Sequence, residues 1–335
     1  MSRHLLPSSS GPSRRSLVLG GAGLLGLGLT GCGLGTSGGF VPSGKLAGPI
    51  ADVDLSGAKI AVGSKNFTEQ LVLGKMAVIV LRAAGADAPD LTNIPGSSSA
   101  RQAMLEDQVQ MQLEYTGTAW IAYLGETTPI PDEKKQYEAV RDRDKKNNHL
   151  IWLPPAPMNN TYGFAGPSET IKKLGITKLS QLSKVPKKDL TFCVESEFNN
   201  RNDGFVPMLK TYGLTKGKDF PDGNVKVLDT GAIYSATDNG TCTFGEVFTT
   251  DGRIKALDLT VLEDDKAFFP KYNVAPVVTE AVMEAFPAVA DLFAPVTAAL
   301  TDDVLIELNA QVDVDGKDPA DVAIAWLRSE GFIQK

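Results

Sequence analysis

Seven residues of this chain combine side-chain types and positions that suggest a binding chemistry: Lys65, Tyr115, Thr118, Tyr162, Arg201, Phe248 and Tyr272. Lys65 stands in KIAVGSKNFTEQ, just past an apolar run and just before a polar helix start. A cation is unexpected there, because a helix N-terminus attracts anions. Tyr115 and Thr118 share the switch EYTGTAW, Tyr162 lies in NNTYGFA, and Arg201 lies in FNNRNDG. Phe248 lies in VFTTDG and Tyr272 in FFPKYNVAP. Taken singly, a tyrosine at a strand end caps a core and Arg201 with Asp203 makes a surface pair. Taken together, aromatic, cationic and hydroxyl groups gather at strand ends along two stretches of chain.

Catalytic and metal chemistry find little support. The 335-residue chain has two histidines, and one of them, His4, falls in a leader. His149 alone cannot build a two-histidine zinc site, and no CxxC pair is present. A Ser–His–Asp arrangement would have to use His149, which sits in the charged stretch KKNNH. No catalytic residue, metal or cofactor is therefore expected. The net charge of −7 argues against a nucleic-acid partner, which calls for a basic stripe. The motif GxxxxGK[ST] is absent, so any ATP-driven process must draw its energy from another subunit.

Residues 1–31 have the layout of an export signal: a basic patch, an apolar run, then small residues before a cysteine. Ser13-Arg14-Arg15-Ser16-Leu17-Val18 resembles a twin-arginine signal, and Leu29-Thr30-Gly31-Cys32 resembles a lipobox in which Cys32 is acylated. The run from Ser16 to Gly31 is too short and glycine-rich for a good membrane span. The expectation is an extracytoplasmic, lipid-anchored protein. Its net charge moves from −7 to −10 with the loss of Arg3, Arg14 and Arg15. Residues 32–57, rich in Gly, Ser and Pro, are expected to form a flexible tether. Cys193 and Cys242 lie in strand-like runs, and both a disulfide and two separate buried thiols remain open.

From Lys59 the chain alternates short apolar runs with helical periodicity. KIAVG is a buried strand, and NFTEQLVLGKMAVIVLRAAGA is a helix on the spacing of Val72, Met76, Ile79, Val80 and Ala83. Asn66 with Glu69 suggests a capping box. VQMQLEY alternates as a half-buried strand does. A second alternation runs through TYGFAGP, LTFCVES, VKVLD and TCTFGEV, and the chain turns helical after residue 270. Two α/β halves with a helical return suggest a two-lobed binding protein, with its site at strand carboxyl ends between the lobes.

GSKNFTEQLVLGKM, EYTGTAW, NNTYGFA, ESEFNNRNDG, FTTDGRI, LEDDKAFFPKYNVAP and LNAQVDVDGKDPADVAIAWLRSEGFI resemble the substrate-binding proteins of glycine betaine/choline-type ABC importers. The resemblance runs in order from residue 59 to 335. It implies a clamshell of the type II periplasmic-binding-protein kind, with lobe 1 from 58–158 and 270–335 and lobe 2 from 159–269. It also implies a ligand-binding role for each of the seven residues. Tyr115, Tyr162, Tyr272 and Phe248 would form a cage around a quaternary ammonium, where ring faces attract a cation that has no N–H to donate. Lys65, Thr118 and Arg201 would hold a carboxylate. The implied partners are a small betaine or choline, a permease and an ATPase. The implied role is osmoprotectant delivery, with a bulkier betaine such as ergothioneine as the alternative. The chain departs from the family at IPGSSSARQAM and in added residues near SATDNGTCTFGEV.

Overall fold

The computed structural model describes residues 40–334; the leader, Cys32 and the start of the expected tether lie outside them. Ten strands are present: β1 Val62–Lys65, β2 Asp90–Ile94, β3 Met111–Tyr115, β4 Leu150–Trp152, β5 Tyr162–Pro167, β6 Phe192–Val194, β7 Val225–Val227, β8 Phe244–Phe248, β9 Leu259–Val261 and β10 Val274–Thr279. They form two sheets, ordered β2-β1-β3-β10-β4 and β7-β6-β8-β5-β9. In each, four strands run in one direction and one, fourth in the order, runs antiparallel between the third and the fifth. That antiparallel strand is the one entered when the chain passes from one sheet to the other: β5 on the way out, β10 on the way back. The sheets are therefore topological copies, although no repeat is visible in the sequence. Two mixed sheets flanked by helices agree with the expected α/β class.

The helix Thr68–Ala83 lies against β1, β2 and β3 and is covered outside by the helices Asp302–Asp313 and Pro319–Ser329. It is buried on almost every side, which explains why its apolar residues spread around the whole helix rather than along one stripe. The capping box does not form. Phe67 occupies the cap position without a side-chain cap, Asn66 Oδ1 accepts from the Gly96 amide at 3.4 Å, and Glu69 turns inward.

Three other expectations change. The strand β3 is buried at all five positions, not half-buried. Met111, Leu113 and Tyr115 face the large core, while Gln112 and Glu114 turn the other way and are covered too. The alternation in VQMQLEY thus marks two buried faces of different polarity. The strand β10 stands where only helices were expected. Pro276 hides it, since proline argues against an interior strand. It is accommodated one residue beyond the β4 ladder, and its carbonyl accepts from the Leu153 amide at 2.9 Å. Finally, the expected tether stops short of residue 57. Val41, Leu46, Ile50 and Leu55 are buried in the core, and Leu46 bridges to Ile333.

Cys193 on β6 and Cys242, two residues before β8, are joined as a disulfide with Cα atoms 5.7 Å apart. The bond ties a loop of 49 residues' separation inside the second sheet's half. Replacing both by alanine is expected to cost about 2–5 kcal/mol by freeing the unfolded chain. A urea midpoint that does not fall in the double variant would contradict this.

Candidate functional site

A cleft of about 530 Å³ opens between the two sheets. Its wall is aromatic. Tyr115 ends β3, Tyr162 begins β5, Phe248 ends β8 and Tyr272 lies two residues before β10, so strand geometry delivers all four to one place. Tyr162 and Phe248 sit opposite each other in the β5–β8 ladder, with ring centroids 5.5 Å apart. Tyr272 meets Tyr162 edge-on at 5.5 Å. A fifth ring, Phe67, joins Phe248 at 5.2 Å and Tyr115 at 6.1 Å. Phe67 was not among the residues singled out from the sequence, although like Tyr115 it lies at a strand-to-helix switch. In the sequence it passes for the first turn of a helix.

The two deepest phenols are neutral hydrogen-bond donors. Tyr115 gives its hydroxyl to Glu69 Oε1 at 2.6 Å and Tyr272 gives its hydroxyl to Asp203 Oδ2 at 2.7 Å. Burial, and then the adjacent carboxylates Glu69 and Asp203, push these phenols well above their usual ionisation range. Tyr162 is raised as well, chiefly by burial, with Arg201 opposing the shift.

The cations differ from the sequence expectation. Lys65 lines the cleft, but its Nζ lies 2.6 Å from Glu114 Oε1, and both side chains are buried. Its Nζ also stands 4.8 Å from the Tyr115 ring centre. One of the protein's own carboxylates, Glu114, thus answers Lys65 in the structure. Arg201 directs its fork at Asp203, with Nε and Nη2 each 2.6 Å from a carboxylate oxygen, and adds Glu197 at 3.2 Å. It is buried, its guanidinium lies 5.4 Å from the centre of the Tyr162 ring, and it is not among the residues lining the cleft. The Arg201–Asp203 pair is real but internal, where it backs the aromatic wall. Thr118 is buried and faces the cleft.

Sequence reasoning also passed over other charges along the cleft. Glu195, Glu197, Asp229 and Asp313 line it, with Arg253 as the second lining cation. Arg253 is itself held by Asp251 at 2.5 Å and Asp313 at 3.4 Å. Glu197 reaches across the cleft, and its Oε2 accepts from the Ser97 amide at 3.0 Å. Burial opposes its ionisation, but the Ser97 bonds and the charges of Lys65 and Arg201 hold its carboxyl below the ordinary value. The unusual loop IPGSSSARQAM borders the cleft through Pro95, Gly96 and Ser97. Residues 235–247, around the other departure, do not line it. His149 is on the surface beside Glu280, 2.7 Å away. No cluster of three or more metal-ligating side chains occurs among the described residues.

A ring-walled, net acidic cleft between two mixed sheets is suited to gripping a small cation. Residues 58–329 match the family described as the substrate-binding domain of the ABC-type glycine betaine transport system. The chain belongs to that family. It is 37% identical over 282 residues to a glycine-betaine-binding protein of Pseudomonas aeruginosa, covering 82% of this chain and 88% of that one. It is similar in structure to apo YehZ of Escherichia coli, with a TM-score of 0.62 and 30% identity over 82% of this chain and 99% of that one. A solved glycine betaine/carnitine/choline ABC transporter component superposes with a TM-score of 0.67 at 28% identity, over 81% of this chain and 98% of that one. These relatives are binding proteins, and their two-lobed fold is this chain's fold. Membership of the family makes this chain a binding component of an importer rather than an enzyme, working outside the cytoplasm with membrane and ATPase subunits.

Two outcomes follow from the buried charges. Glu114→Ala leaves Lys65 buried without its counter-charge and is expected to cost about 3–5 kcal/mol, more than the paired change Lys65→Met with Glu114→Gln. Chemical denaturation of the three chains measures the difference. Glu246 is pushed well above the ordinary glutamate value of 4.5, first by burial and also by Glu195 and Glu197. The folded chain then holds a proton that the unfolded chain releases, so this group's contribution is full below 4.5 and is lost as pH rises toward the folded value. Glu246→Gln is expected to make the chain more stable at neutral pH and to flatten this slope in melting curves recorded across pH.

Proposed function

We propose that this protein is the lipid-anchored receptor of an ABC importer for small quaternary amines, with glycine betaine and its relatives, carnitine included, ahead of choline. The carrying observation is the run of five rings, Tyr115–Phe67–Phe248–Tyr162–Tyr272, gathered from both sheets around one cleft. A trimethylammonium head gains about 0.5–2 kcal/mol from each ring face it meets, more as water is excluded. Phe248 supplies a face without a hydroxyl and serves as well as tyrosine there. The carboxylate of a betaine would meet Lys65, whose ammonium has three donors and makes one hydrogen bond, to Glu114, together with Thr118. Arg201 would act from behind, holding Tyr162 and, through Asp203, Tyr272.

In this reading residues 58–158 with 270–335 form one lobe and 159–269 the other, and a ligand touching both favours the closed arrangement. Twin-arginine export, cleavage before Cys32 and acylation there would place the receptor at the membrane, beside a separately encoded permease and ATPase. One observation favours a second reading: the cleft continues past the rings to Asp229, Thr230 and Arg253, with room for a bulkier betaine such as ergothioneine.

Calorimetry with glycine betaine, proline betaine, carnitine, choline and ergothioneine tests both readings. Tyr162→Leu is expected to weaken the preferred amine tenfold or more, and Phe248→Tyr to change it less than threefold, since a ring face is worth about 0.5–2 kcal/mol. Absence of heat with every quaternary amine would sink the proposal.

A further inference from the structure

Glu69 is a buried carboxylate of this junction that gathers four side-chain hydrogen-bond partners, all of them uncharged. Glu114 has Lys65, Asp203 has Arg201, Asp144 has Arg101 and Asp90 has Lys75. Glu69 has four neutral donors instead. Its Oε1 accepts from the Tyr115 hydroxyl at 2.6 Å and from Asn160 Nδ2 at 2.9 Å. Its Oε2 accepts from the Thr250 hydroxyl at 2.5 Å and from Asn309 Nδ2 at 3.0 Å. Two donors per oxygen suit a carboxylate, which is acceptor-only when ionised.

The four donors come from four places. Tyr115 ends the central strand β3 and lines the cleft; Asn160 lies in the segment crossing to the second sheet. Thr250 follows β8 in the second sheet's half, and Asn309 is on the helix Asp302–Asp313, which covers the first. Asn309 also donates to the Thr250 carbonyl at 2.9 Å. Both amides donate to Glu69 while their own Oδ1 atoms stay buried without a partner. Those two unpaired oxygens are a cost of keeping asparagines here as donors, since a buried polar group left unpaired is expensive. The arrangement is explained if the carboxylate is kept for what it connects.

We propose that Glu69 is a positioning residue that couples the seating of the Tyr115 ring in the cleft to the closure of the seam between the two halves. It does so by holding Tyr115 with one oxygen and Thr250 with the other. Swinging the halves apart at this seam pulls on the Thr250 contact, and the same carboxylate transmits that to the ring. The inference rests on the receptor reading for its ligand, but not for the seam itself.

The test uses the full mature chain with Glu69→Gln, Thr250→Val, their combination, and Tyr115→Phe. Glycine betaine and carnitine affinities are measured by calorimetry, melting by circular dichroism, and ligand-free opening by small-angle X-ray scattering. Glu69→Gln places an NH2 group against donors and is expected to weaken the amine about tenfold and to enlarge the ligand-free radius of gyration. Thr250→Val, which does not touch the cleft, is expected to weaken it severalfold and to add little in the Glu69→Gln background. A lowered melting temperature with unchanged affinity and scattering, or full additivity of the two changes, would overturn the proposal. If Glu69→Gln does not fold, Thr250→Val paired with Tyr115→Phe decides by the same non-additivity. If the unaltered chain binds no quaternary amine, the receptor reading fails, and the scattering comparison still decides the role of Glu69.

Discussion

The junction between the two sheets buries several charges around its cleft, and most of them are answered from within the protein. Unpaired, any one of these groups would cost several kcal/mol of desolvation. Lys65 meets Glu114, Arg201 meets Asp203, Arg253 meets Asp251, and Glu69 takes four neutral donors. The aromatic wall depends on this. Tyr115 and Tyr272 are fixed through hydroxyls that end on two of those carboxylates, and the Tyr162 ring is backed by one of those cations. The aromatic wall of the cleft is therefore held in shape by its ion pairs.

The folding pattern that brings the rings together is a doubled one. Both sheets place an antiparallel strand between the third parallel strand and the edge, and β5 and β10 play that part. Each is reached through a crossing segment, so each has a residue at the junction at or just before its start: Tyr162 on one side, Tyr272 on the other. The parallel strands β3 and β8 finish at the same junction with Tyr115 and Phe248. Four of the five rings are thus consequences of where strands begin and end, and Phe67 comes from the turn after β1.

That origin explains what the sequence disclosed. Strand ends are legible because apolar alternation stops at them, so the residues just beyond could be picked out in FNNRNDG, VFTTDG and FFPKYNVAP. Pairing across distance was not legible. Lys65 and Glu114 are 49 residues apart, and a glutamate in an alternating strand suggests a solvated face. Arg201 and Asp203 are two residues apart and were visible as a pair, but not as a buried one. Glu69 looked like half of a capping box because helix-start chemistry is local, whereas its partners Asn160, Thr250 and Asn309 lie 91, 181 and 240 residues away.

The late return of β10 also bears on how the polypeptide is made. β3 and β4 are both neighbours of β10, and β4 has no other partner in its sheet. A nascent chain that has emerged only as far as residue 270 can complete the second sheet, whose five strands lie between Tyr162 and Val261. It cannot complete the first, which must wait with one side of β3 unsatisfied and β4 unpaired. The half that begins synthesis is thus the half that finishes folding last. A ribosome stalled before Thr279 would leave an open strand edge, a known invitation to aggregation.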